Sequence, residues 1–188
     1  MRFSILAAVL VALAVPSMEA AAQRDDQFVW GIGGGATIPS GWASDNHKVG
    51  GHGTLMLGIG GVDAPLGIRF EGSYGLLGER DNADVVTPQG SARVFTLMGN
   101  GIFNLYGNNK RLYAVTGLGG FWYNPDGPNT TAVNDFALNA GLGLWIPAIN
   151  GFVEARWLNL YRALPDPVTG LKGQKSARLY PVTLGFMF

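Results

Sequence analysis

The chain has 188 residues, 13 basic and 13 acidic side chains, 29 glycines and no cysteine. That length suits one domain; zero net charge removes the basic face that nucleic acid requires; and the missing cysteines exclude disulfides, thiolate chemistry and cysteine-ligated zinc. Only 14% of residues are charged while 47% are hydrophobic and 11% aromatic, so disorder is excluded as well.

Residues 1–22 read as a cleavable secretory signal. Arg2 supplies the positive start, Phe3 to Val15 the apolar stretch, and Ala20-Ala21-Ala22 a small-residue cleavage site before Gln23. The mature domain is then 23–188.

From there on the pattern has period two, in segments suited to tilted membrane strands. The first, Phe28 to Ile38, sets Phe28, Trp30, Ile32, Ala36 and Ile38 against Gly31, Gly33, Gly35 and Thr37. Gly51 to Gly60 sets Leu55, Leu57 and Ile59 against Thr54, Met56 and Gly58. In Leu66 to Leu76, the apolar Leu66, Ile68, Phe70, Tyr74 and Leu76 oppose Arg69, Glu71, Ser73 and Gly75. Ala92 to Phe103 sets Phe95, Leu97 and Phe103 against Thr96, Met98 and Asn100.

The fifth segment, Arg111 to Tyr123, is two-sided. Tyr113, Val115, Phe121 and Tyr123 are taken as its outward set, although Leu112, Leu118 and Trp122 share the other parity. Phe136 to Ile146 alternates Phe136, Leu138, Ala140, Leu142, Leu144 and Ile146 with Asn139, Gly141, Gly143 and Trp145. Phe152 to Tyr161 sets Val153, Ala155, Trp157 and Tyr161 against Glu154 and Arg156; Leu158 and Leu160 break its pattern and predict a bulge or a strand running past the membrane. The last, Arg178 to Phe188, sets Tyr180, Val182, Leu184, Phe186 and Phe188 against Thr183, Gly185 and Met187.

The connections are predicted to alternate in length. Those at 61–65, 104–110 and 147–151 are short; those at 39–50, 77–91, 124–135 and 162–177 are long and polar. Outer-membrane barrels pair short periplasmic turns with long extracellular loops, which puts both termini in the periplasm. The fold class expected is therefore all-β, an eight-stranded antiparallel up-and-down transmembrane barrel, because only a closed sheet satisfies its backbone in hydrocarbon. Phe28, Trp30, Phe186 and Phe188 would form one aromatic girdle, and Tyr74, Tyr123, Trp157, Tyr161 and Tyr180 the other. Eight strands leave a lumen filled by side chains rather than a wide pore. Glycine and small polar residues are expected to line it, with Arg69, Glu71, Glu154 and Arg156 as an internal ion-pair network.

Three stretches carry a resemblance: Leu66-Gly67-Ile68-Arg69-Phe70-Glu71-Gly72-Ser73-Tyr74, Phe152-Val153-Glu154-Ala155-Arg156-Trp157, and Tyr180-Pro181-Val182-Thr183-Leu184-Gly185-Phe186-Met187-Phe188. Together they resemble the outer-membrane β-barrel domain family of small OmpA- and OmpX-like proteins. The resemblance implies a bacterial outer-membrane location, contact with outer-membrane lipids and lipopolysaccharide, and insertion by the barrel assembly machinery. It implies that Tyr180, Val182, Leu184, Phe186 and Phe188 are the strand that machinery recognises.

Other motifs have plainer readings. Gly31-Ile32-Gly33-Gly34-Gly35-Ala36 spells a dinucleotide fingerprint but lies in a strand, not before a helix. Asn129-Thr130-Thr131 fits a glycosylation acceptor and reads as ordinary loop. His47 and His52, with Ser40, Ser44 and Asp45, raise a lipid A-modifying enzyme or a metal site; a nucleophile needs an oriented base and a metal needs rigid ligands, and a loop promises neither. His47 is taken as a solvated loop histidine, and Glu79, Asp81, Asp84, Asp126, Asp166, Lys172 and Lys175 as a solvated surface. The expected function is a non-enzymatic outer-membrane protein without cofactor or metal. Its long loops would do structural, protective or surface-interaction work on a ligand the sequence does not name; the rival is a lipid A acyltransferase or deacylase.

Overall fold

A computed structural model describes residues 28–59, 66–80, 90–105, 111–126, 132–164 and 175–188. The signal segment 1–22 and Asn129-Thr130-Thr131 lie outside them. Eight strands form one closed barrel in sequential order: β1 Phe28–Ser40, β2 His47–Ile59, β3 Leu66–Glu79, β4 Ala92–Asn104, β5 Leu112–Pro125, β6 Val133–Ile146, β7 Gly151–Leu164 and β8 Lys175–Met187. A short helix, α1 (Trp42–Asn46), joins β1 to β2, and a 3-10 turn at Pro147–Ile149 joins β6 to β7 through Asn150 in the left-handed region (φ 49°). Every neighbouring pair is antiparallel, and β8 closes onto β1 with Ile32 opposite Phe186 and Ile38 opposite Tyr180. Trp30 and Phe188 exchange backbone hydrogen bonds of 3.0 and 2.7 Å, so the seam is paired to the last residue.

Alternation decides which side chain meets which medium. Trp30, Leu55, Phe70, Leu97, Leu142 and Leu184 all lie exposed on the outer wall, while Arg69, Met56, Thr96, Glu154 and Thr183 are buried on the lumen side. Of the girdle residues, Trp30, Tyr74, Tyr161, Tyr180, Phe186 and Phe188 are exposed outside, and Phe28 and Trp157 are half-buried on the same parity.

The fifth strand corrects the sequence reading. Tyr113, Val115, Phe121 and Tyr123 are at most 2% exposed and face the lumen, whereas Leu112, Leu118 and Trp122 are the outward set. Tyr123 therefore leaves the outer girdle. The reason lies across the β5–β6 pair: Tyr113 is opposite Gly143, and a Cβ on Gly143 would run into the Tyr113 ring. Gly185 opposite Phe152 makes the same accommodation between β7 and β8. The missing side chains leave room for the rings inside a narrow barrel.

The lumen is also less polar than expected. Leu77, Val94, Phe121, Tyr123, Leu158, Leu160 and Leu179 pack with Ala43 of α1 in one buried cluster at the end away from the termini, and Trp42 rests against it. Leu158 and Leu160 thus keep the inward parity of Glu154 and Arg156, and the register shift in β7 falls later, between Leu160 and Leu164. Because residues at this end still find partners and an apolar core, the strands extend into segments expected to be loop. The connections shrink to 41–46, 80–91, 126–132 and 165–174, and 41–46 is no longer than 60–65 on the opposite end. Strict alternation of connection length does not hold.

Candidate functional site

Four charges meet in the lower lumen. Arg69 and Glu71 project inward from β3, Glu154 and Arg156 from β7, each pair spaced by two residues so that both members share a face. Arg156 grips Glu71 with both terminal nitrogens, Nη1 to Oε1 at 3.0 Å and Nη2 to Oε2 at 2.5 Å. Arg69 Nη2 donates to both Glu154 oxygens at 2.8 and 3.0 Å, and Arg156 Nε donates to Glu154 Oε1. Tyr113 Oη adds a hydrogen bond to Glu154 Oε2 at 2.8 Å, and Arg69 lies 3.6 Å from Glu71. All four charged side chains are at least nine-tenths buried. Two positive and two negative charges cancel, so the cluster needs no counterion. Its geometry ties opposite walls of the barrel together.

Below the cluster, Tyr113, Trp145 and Phe152 pack in the lumen with ring centroids 5.0 and 6.0 Å apart, the first pair tilted and the second edge to face. Above it is a layer of hydroxyls, amides and one imidazole. His52 bonds Thr37 through Nδ1 (2.9 Å) and Thr183 through Nε2 (2.8 Å), bridging β2 to β1 and β8. Ser73 and Thr96 share a hydrogen bond of 2.7 Å, and Asn139 Nδ2 donates to Asn100 Oδ1 at 2.8 Å. A cavity of about 40 Å3 sits in this layer, with Glu71 and Arg156 on its polar side and Leu77, Val94, Leu158 and Leu179 on its apolar side. Parity located the charges; nothing in the sequence pointed to the cavity, because it depends on residues from seven strands.

The histidines are placed differently from expectation. His47 opens β2 rather than lying in a solvated loop; it is 1% exposed and its Nε2 is 2.5 Å from the Tyr123 hydroxyl. Among the described residues neither histidine ring is hydrogen-bonded to a serine: Ser44 Oγ donates to the Gly41 carbonyl at 2.6 Å, within the α1 turn. Among the described residues, no group of three histidine, aspartate or glutamate side chains is placed to hold a metal. Of the surface charges, Asp126 pairs with Arg93 at 3.3 Å and accepts a hydrogen bond from Ser91. Asp81, Asp84, Asp166 and Lys172 lie outside the described residues, as does the side chain of Lys175. The terminal-strand residues Tyr180, Val182, Leu184, Phe186 and Phe188 are all exposed on the outer wall.

No family model and no curated protein matches the chain. Solved structures do. The Yersinia pestis outer membrane protein Ail, in a phospholipid bilayer nanodisc, is similar over 87% of this chain and 100% of its own, with a TM-score of 0.51 and 14% identity. The N-terminal β-barrel domain of Pseudomonas aeruginosa OprF is similar over 86% of this chain and 98% of its own, at a TM-score of 0.49 and 17% identity. Neisserial surface protein A covers 85% of this chain and 94% of its own, at a TM-score of 0.46 and 10% identity. At these identities the likeness concerns backbone architecture. The chain has the fold of the small eight-stranded outer-membrane β-barrels.

Proposed function

We propose that the protein is an integral outer-membrane barrel with both termini on the periplasmic side, doing structural, protective or surface-interaction work at its opposite end, without a wide pore and without enzymatic chemistry. The observation that carries the reading is the outer wall. Large apolar side chains from all eight strands lie exposed on it, among them Ile32, Leu57, Phe70, Leu97, Leu118, Leu142, Tyr161 and Leu184. In water such a surface would aggregate; in lipid it is the solvated face.

The interior supports the rest of the proposal. A neutral charge cluster, a polar layer and an apolar packed end fill the lumen in succession. The partners on this reading are outer-membrane lipids and lipopolysaccharide along the wall, the barrel assembly machinery at β8 during insertion, and an unidentified surface ligand at the loop end. Cell fractionation with heat-modifiable gel mobility tests it: the expected result is an outer-membrane protein whose unheated form migrates faster. A soluble periplasmic location overturns it. Protease added to intact cells should reach the 80–91 or 165–174 connections and spare the termini.

A further inference from the structure

We propose that α1 is an acid-released cap on the loop end of the lumen: it is held shut while a neutral His47 rests on Tyr123, and it swings away when a protonated His47 turns to Glu79. The cap is seated by apolar contact. Ala43 is 2% exposed inside the buried cluster, and Trp42 rests against that cluster. The two ends of the helix are held differently. Gly41, ahead of it, has φ 59° and open space where a Cβ would stand, so it accommodates the backbone rotation a swing requires. His47 follows Asn46 directly and anchors the other end, 1% exposed with Nε2 2.5 Å from the Tyr123 hydroxyl. A hydrogen bond from Arg80 Nη1 to the Ser44 carbonyl adds an exposed fastening.

The anchor depends on one proton. Tyr123 offers His47 a neutral hydroxyl, which bonds the imidazole but cannot balance a charge on it. The charged groups around the ring stand at the rim: Asp45 on α1, Lys48 on β2, Glu79 at the end of β3 and Arg80 just past it, all exposed. Gly90 and Ser91, ahead of β4, bring no charge. Glu79 is the group placed to receive a charged ring, because it is directly opposite His47 in the β2–β3 ladder and shares its face. The ladder breaks just after this pair, with a register shift between Lys48 and Gly51, so the pair can move without unzipping the barrel wall. Glu79 also lies beyond Tyr74 along β3, above the outer aromatic girdle. Burial pushes the His47 imidazole below its usual pKa, with the Gly90 backbone acting in the opposite sense. The closed cap therefore binds fewer protons than the open one: its stability is full above the ordinary histidine value of about 6.5 and falls as pH drops below it. Release uncovers the apolar cluster on which Ala43 packs.

Methyl NMR of the alanine-labelled protein in phospholipid nanodiscs, with a soluble paramagnetic relaxation agent, reads the exposure of Ala43 as pH is lowered. The expected result is protection at about pH 8 and severalfold faster relaxation at about pH 5, on either side of the histidine range. His47→Gln keeps a neutral partner for Tyr123 and should hold Ala43 protected throughout. Glu79→Gln should shift the transition to lower pH, because the released ring loses its counter-charge. Should His47→Gln fail to fold, as read by heat-modifiable mobility, Tyr123→Phe is the second variant; it loosens the closed state and should move the transition to higher pH. An Ala43 methyl equally protected, or equally exposed, at both pH values overturns the proposal. A transition that persists in folded His47→Gln also overturns it and assigns the change to His52, the other histidine of the chain. An unmoved transition in Tyr123→Phe removes the latch, and one in Glu79→Gln overturns the exchange of partners.

Discussion

Arg69 and Glu154 stand 85 positions apart in the chain, yet Arg69 Nη2 reaches both oxygens of Glu154 across the lumen at 2.8 and 3.0 Å. Their strands, β3 and β7, are four apart in an eight-membered ring and so lie on opposite walls. With Glu71 and Arg156 the contact becomes a neutral square in which each charge answers another. Its value depends on completeness, because removing one member leaves its partner buried without a counter-charge.

Glu154→Gln should therefore destabilise the barrel by about 3–5 kcal/mol in urea unfolding from lipid vesicles. The double variant Arg69→Met with Glu154→Leu should lose less than the sum of the single changes, because no uncompensated charge is left. Strict additivity would show that the cluster does not act as a unit.

Gly143→Ala places a methyl group against the Tyr113 ring. Such overpacking should cost about 1–3 kcal/mol, while Gly53→Ala, whose Cβ would lie 4.0 Å from the nearest atom, should cost little or stabilise. Adding Tyr113→Ala should relieve the first change. Equal effects at Gly143 and Gly53 would remove the close-packing explanation.

Leu118 is 60% exposed on the outer wall of β5. In a bilayer, Leu118→Arg should cost roughly 2–4 kcal/mol if the residue lies near the membrane midplane. A soluble barrel would tolerate the change almost neutrally. Vesicle refolding of the variant thus tests both the facing of β5 and the membrane reading.

Phe188 contributes twice: its backbone pairs with Trp30 and its ring stacks on the Trp30 indole with centroids 4.6 Å apart. Phe188→Ala keeps the backbone bonds, so refolding in vitro should change modestly while outer-membrane insertion in cells falls sharply. Parallel losses in both assays would leave only a structural role for the residue.

Periodicity alone was enough to orient most strands, and the reason is chemical. On β3 the outward positions Leu66, Ile68 and Phe70 are apolar while Arg69 and Glu71 are charged, so only one facing keeps the charges off the apolar outer wall. The same contrast put Glu154 and Arg156 inside β7. On β5 both faces carry large apolar groups, and parity has nothing to separate them. The outer wall and the packed lumen of this strand accept the same residue types.

What the chain determines locally is therefore strand positions, facing wherever polar and apolar residues alternate, and the expectation of a closed barrel. Only the assembled barrel decided the rest. Gly143 and Gly185 opened space for Tyr113 and Phe152; α1 and the ends of β3, β7 and β8 packed an apolar end where open loops were expected; and residues distant in sequence enclosed the cavity. These are properties of register and of contact across the lumen. They arise when eight strands share one narrow interior, and no single strand carries them.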